Sequence, residues 1–172
     1  EAALIRAARA AGVMAPEVLV ELIPSDGIGS GYVMRAISGS PDPNLFLAEA
    51  DPQTGITDIA RELAKTHQTD CSGLTVPMMD TAQALGELRN RFLSYGGDRP
   101  ILALALRWLE ANIPPPVTPR LVHGDFRLGN LMFHPSEPRV IAILDWELST
   151  LGNPLADLGY CCLAWPSWPD EY

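Results

Sequence analysis

The chain has 172 residues, 47% apolar and 19% charged, enough to bury one real core. A formal charge of −9 at pH 7 argues against a nucleic-acid partner, which normally requires a basic face. The longest apolar run, Ile101 to Leu106, is too short to cross a bilayer, so no membrane partner is expected.

The predicted elements follow in chain order. Residues 1–11 are Ala-rich without a breaker and read as a helix that Gly12 stops. Val18–Ile23 and Gly31–Ile37 read as two strands of an antiparallel hairpin. The turn between them contains Gly27-Ile-Gly-Ser-Gly31. It lacks the following helix and the Gly-Lys-Ser/Thr ending of a phosphate loop, so a hairpin turn is the better reading. Ser38–Gly55, rich in Pro, Asp and Gly, reads as a linker. Helices are expected over Thr57–Gln68, over Asp80–Leu93 with Asp80 and Gln83 at capping-box spacing, and from an Asp98 cap to Ala111. Leu121-Val122 is a short strand. Asn130–Phe133 and Arg139–Leu144 form a second hairpin, and Pro154–Leu163 is helical. The order gives an α+β fold in two unequal parts.

The chemistry concentrates in His123-Gly-Asp-Phe-Arg-Leu-Gly-Asn130 and in Asp145, which closes the apolar run Val140–Leu144. A carboxylate, an Asn five residues on and a second carboxylate fifteen beyond that match a phosphoryl-transfer site. Such a site needs one carboxylate to orient a hydroxyl and oxygen ligands for Mg²⁺. Asp125 is the candidate base, and Asn130 and Asp145 are the candidate metal ligands. Arg127 either meets charge on the transferring phosphoryl or is simply exposed. His123 reads as a structural residue bonded to the backbone of its loop, and His67 and His134 receive no role. Trp146 reads as packing and Glu147 as a hydrogen-bonded or solvated acid. Asp157 could brace the loop by accepting backbone N–H bonds. Cys71, Cys161 and Cys162 lack metal spacing and are expected as reduced, buried thiols of a cytoplasmic protein.

The 123–130 motif, with Ile143-Leu-Asp-Trp-Glu147 and Gly152-Asn-Pro-Leu-Ala-Asp-Leu-Gly159, resembles the aminoglycoside phosphotransferase/choline kinase-like superfamily. Within it, the wording is most similar to the kinase-like domain associated with acyl-CoA dehydrogenases. The resemblance implies a protein kinase-like two-lobed fold with ATP and Mg²⁺ between the lobes. It implies Asp125 as base, Asn130 and Asp145 as ligands of Mg²⁺ and nucleotide, and backbone near Met34, Arg35 and Ala36 against adenine. Glu1 falls where a helix Glu would pair with a phosphate-binding Lys. The single Lys, Lys65, lies after the hinge and cannot be that residue.

The expectation is therefore a fragment. Residues 1–37 would be the remnant of an N-lobe, and 38–172 a mostly helical C-lobe, truncated at its end. The expected activity is transfer of the γ-phosphoryl of ATP to a hydroxyl of a small molecule, a hydroxyacyl-CoA or an aminoglycoside-like acceptor. A fused or neighbouring acyl-CoA dehydrogenase is the expected partner, and the isolated piece is expected to be inactive. The alternatives are a nucleotide-binding pseudokinase or a metal-dependent phosphohydrolase.

Overall fold

Helix α1 (Ala2–Ala10) follows from its Ala content and from an apolar stripe that buries Ala2, Leu4, Ile5 and Ala8. The computed structural model describes residues 1–42 and 52–164. Gly12 ends α1 at φ +86°, its N–H donating to Arg9 O and that of Val13 to Ala8 O, both at 3.0 Å. This paired closure needs a left-handed residue, which Gly supplies without strain.

Strands β1 (Val18–Leu22) and β2 (Gly31–Met34) form the expected antiparallel hairpin, with Leu22 opposite Gly31. Asp26 Oδ2 accepts the Ile23 N–H at 2.8 Å and fixes the turn. The glycine-rich stretch is this turn, and β2 stops at Met34, three residues before its expected end.

Helix α2 (Pro52–Gln68) starts inside the expected linker. Proline is tolerated in a first turn, where its missing N–H costs no hydrogen bond. The other part of that linker, residues 43–51, lies outside the described residues. After a short strand β3 (Met78–Met79) comes α3 (Thr81–Ser94), whose cap is as expected: Asp80 accepts the Gln83 N–H at 2.7 Å. In α4 (Pro100–Ala111) the cap is Arg99, not Asp98. Proline at the first helical position places the boundary one residue later, and no side chain caps it.

The second half is built from short strands. β4 (Arg120–Val122), β5 (Leu131–Phe133), β6 (Val140–Ile143) and β7 (Thr150–Gly152) are followed by α5 (Leu155–Cys161). β5 and β6 pair antiparallel, with Leu131 opposite Ile143. β7 lies between β3, to which it is parallel, and β4, to which it is antiparallel. A Cβ on Gly152 would overlap the Met79 carbonyl oxygen, so glycine is what lets β3 approach.

The core joins Leu4, Ile5, Ala8 and Val13 from the α1 region to Leu63 of α2 and to Leu121, Phe126, Phe133, Ile143 and Trp146. It therefore draws on residues from both sides of the expected 37/38 boundary. Among the cysteines, Cys71 is half-buried while Cys161 and Cys162 are exposed, contrary to the expectation of buried thiols. Cys161 is the last residue of a short helix, on the same side as Asp157, and its thiol donates to Phe126 O at 3.1 Å.

Candidate active site

Strand β4 delivers the chain to His123, which is fully buried, and the backbone then turns sharply at Gly124, φ +88°. A Cβ at Gly124 would overlap the Leu148 carbonyl oxygen. Only glycine fits both the angle and the space. The His123 ring accepts the Asp125 N–H on Nδ1 at 3.3 Å and meets the Leu144 carbonyl through Nε2 at 3.0 Å. A carbonyl only accepts, so Nε2 carries the proton and Nδ1 does not. His123 thus has the structural role expected of it. Trp146 is also packed as expected, with its indole N–H donated to Ile143 O at 2.9 Å and its ring 4.8 Å from that of His123.

Asp157 of α5 holds this turn. Its Oδ2 accepts the His123 N–H at 2.8 Å and its Oδ1 the Gly124 N–H at 2.9 Å. A third contact, from His67 Nε2 to Oδ2 at 2.9 Å, comes from the last turn of α2. The bracing role read for Asp157 matches this geometry. The role of His67 had no signal in the sequence, because 90 residues separate the pair.

The turn presents the Asp125 carboxylate. The Asn130 side-chain amide donates to Asp125 Oδ2 at 2.6 Å and to its backbone carbonyl at 2.9 Å. Arg127 Nε lies 3.2 Å from each carboxylate oxygen. Burial pushes the Asp125 carboxyl up, but hydrogen bonds from Tyr160, Asn130 and Arg127 outweigh it and hold the group below the usual carboxylate range. Asp125 is therefore an ionised acceptor at neutral pH. The same contact pushes the Tyr160 hydroxyl up. A Cβ at Gly129 would meet the flexible end of the Arg127 guanidinium where it now lies.

Asn130 and Asp145 lie at the ends of paired strands, joined through the Leu144 N–H donated to Asn130 O at 2.8 Å. Asp145 has φ +67°, the one non-glycine residue in that region among the described residues. This left-handed turn leaves Asp145 exposed while Trp146 enters the core. Asn130 spends its amide N–H groups on Asp125, which leaves its amide oxygen as an acceptor. An amide oxygen beside an exposed carboxylate is a donor set that suits Mg²⁺. No group of three His, Cys, Asp or Glu suited to a metal occurs among the described residues. A magnesium ion held by two protein groups takes its other ligands from phosphates and water, so the pair still fits it.

Glu1 stands at the N-cap position of α1 without a side-chain capping bond, and its carboxylate accepts the Tyr32 hydroxyl at 2.5 Å. Burial first, then the Glu1 hydrogen bond and the charges of Glu1, Asp145 and Glu147, push that hydroxyl up. Met34 ends β2, and the Arg35 N–H is already donated to Glu17 O at 2.9 Å. Ala36 is exposed beyond the strand. A cavity of about 470 Å³ opens beside this region, lined by Glu1, Leu4, Leu74, Val76, Trp146 and Glu147. It includes neither Asp125, Asn130 nor Asp145.

The model of the phosphotransferase enzyme family matches residues 1–171. The chain is 35% identical over 175 residues to acyl-CoA dehydrogenase family member 10 of Mus musculus, covering 94% of this chain and 16% of that protein. It is 35% identical over 169 residues to acyl-CoA dehydrogenase family member 11 of Gallus gallus, covering 91% of this chain and 22% of that one. A solved structure assigned to the aminoglycoside phosphotransferases, from Ralstonia eutropha, superposes with a TM-score of 0.79 at 31% identity. That match covers 98% of this chain and 56% of the other. The chain thus spans a fifth or less of one relative's length and little more of the other's.

Proposed function

Because this chain belongs to the phosphotransferase enzyme family, we propose that it carries the base and cation-binding residues of an ATP- and Mg²⁺-dependent small-molecule kinase. The carrying observation is the clamp of Asn130 on Asp125, which orients the carboxylate and leaves the amide oxygen of Asn130 facing away from it. Asp125 Oδ1 or Oδ2 accepts the hydrogen bond of the acceptor O–H and takes its proton as the oxygen bonds to the γ-phosphorus. The bond from that phosphorus to the β–γ bridging oxygen breaks, and ADP leaves. Arg127 lies close enough to Asp125 to meet charge on the moving phosphoryl group. Asn130 and Asp145 would hold Mg²⁺, which when bound neutralises charge on the nucleotide phosphates.

The acceptor class is a hydroxyacyl-CoA. The similarity to acyl-CoA dehydrogenase family members supports it, and a dehydrogenase in the same or a neighbouring chain is the proposed partner. The likeness to a structure assigned to the aminoglycoside phosphotransferases keeps an aminoglycoside-like acceptor in the test. Among the described residues no helix is long and apolar enough to cross a membrane, and the cytoplasm is the proposed location.

The test is ADP formation by the intact protein with MgATP and a panel of hydroxyacyl-CoA and aminoglycoside acceptors. Acceptor-dependent ADP together with a phosphorylated acceptor is expected. Phosphate release without any acceptor would show a phosphohydrolase instead. Nucleotide binding without turnover on the whole panel would show a pseudokinase.

A further inference from the structure

The Asp157 carboxylate is fully buried, and among the described residues no Lys or Arg forms an ion pair with it. A buried carboxylate is costly unless each oxygen meets donors. Two of its three donors are backbone N–H groups of the loop that presents Asp125. The third is His67 Nε2, and because a carboxylate only accepts, that nitrogen carries a proton. His67 and His123 N–H share Oδ2, while Gly124 N–H has Oδ1. The rotation of the carboxylate, and so the aim of both oxygens, depends on where His67 holds Oδ2.

The neighbours of Asp157 on α5 extend the same surface. Cys161 Sγ donates to Phe126 O at 3.1 Å, and the Tyr160 hydroxyl helps hold the Asp125 carboxyl below its usual range. Positions 157, 160 and 161 share one helical face, so α5 meets residues 123–126 as a block. His67 ties this block to α2, itself anchored by Leu63 in the core.

We propose that His67 is a positioning residue: through Asp157 it sets the His123–Gly124 turn and thereby the aim of Asp125. This role rests on the kinase reading only where turnover is concerned, since the hydrogen-bond chain exists whatever the reaction.

The test compares His67→Gln with His67→Asn in the intact protein. Gln Nε2 stands as many bonds from Cα as His Nε2, and Asn Nδ2 one fewer, so Gln reaches Oδ2 and Asn falls short. Amide hydrogen exchange at His123 and Gly124 should rise at least ~10-fold in His67→Asn. It should stay near wild type in His67→Gln, and core amides of β5 and β6 should hardly change in either. With MgATP and hydroxybutyryl-CoA, kcat should fall ~10-fold in His67→Asn at unchanged KM for ATP, with His67→Gln within ~3-fold of wild type. Unchanged exchange at both amides, or an equal rise throughout the core, would overturn the proposal. So would a kcat in His67→Gln as low as in His67→Asn. If the wild-type protein phosphorylates no acceptor, the kinase reading fails and the exchange pattern alone decides the role of His67.

Discussion

At Asp125 an amide from Asn130 and a guanidinium from Arg127 meet one carboxylate, and the phenol of Tyr160 adds to the pull that keeps it ionised. The spacing marked Asn130 as a metal ligand, and its bond to Asp125 emerged only in the fold. The phenol comes from a helix 35 residues away in sequence, and nothing in an isolated Tyr marks its partner. Asp125→Ala should lower turnover by about 10²–10⁴-fold while MgATP still binds, the usual range for loss of a positioned base. Steady-state kinetics beside a nucleotide-binding titration checks both halves, and unchanged turnover would remove Asp125 from that role.

His123 makes a second prediction at this scale. Burial outweighs the neighbouring carboxylates and pushes its imidazole below the ordinary value of 6.5. The unfolded chain takes up a proton near 6.5 while the folded chain does not. Below that pH the unfolded state binds more protons, so stability falls as pH falls and is fully restored above it. The lowered carboxyl of Asp125 acts in the same direction at more acid pH. Urea unfolding at pH 7.5 and 5.5 should give a lower midpoint at 5.5. His123→Gln, which cannot gain that charge, should reduce the difference between the two.

Among the elements, long segments with local signals were readable. The Ala stripe of α1, the Asp80 cap of α3 and the two hairpins all follow from residues within a few positions of each other. The strands β3 and β7 were not, because two or three residues carry no periodicity and their parallel pairing spans more than 70 residues. The loop after β4 depends on one glycine. Gly124→Ala would force a left-handed backbone on a residue with a Cβ and press that Cβ into Leu148. A loss of more than ~1 kcal/mol is expected from the backbone alone. Turnover should fall further than stability, because the displaced turn carries Asp125. Denaturant midpoints and kcat for the same variant separate the two effects.

Across the whole molecule, the site is an assembly of distant parts. α1 and the β1–β2 hairpin bring Glu1 and Tyr32 toward Asp145 and Glu147, while α2 and α5 clasp the loop from the other side. A ligand that binds only this assembly stabilises it by mass action. MgATP should raise the melting temperature of the intact protein, and ATP with EDTA should raise it less. Asp145→Ala should abolish the Mg²⁺-dependent part of that shift. A variant that keeps the full shift would place the cation elsewhere.

The sequence by itself determined which carboxylates and which amide stand at the spacing proposed for phosphoryl transfer, and which helices and hairpins flank them. Those signals are local, since hydrogen bonds and apolar periodicity within an element act over a few residues. Only the tertiary structure decided what holds the Asp125 motif in place. Asp157 reaches back 34 residues to His123, and His67 reaches 90 residues forward to Asp157. Such pairings depend on which buried faces meet, and no spacing along the chain encodes that.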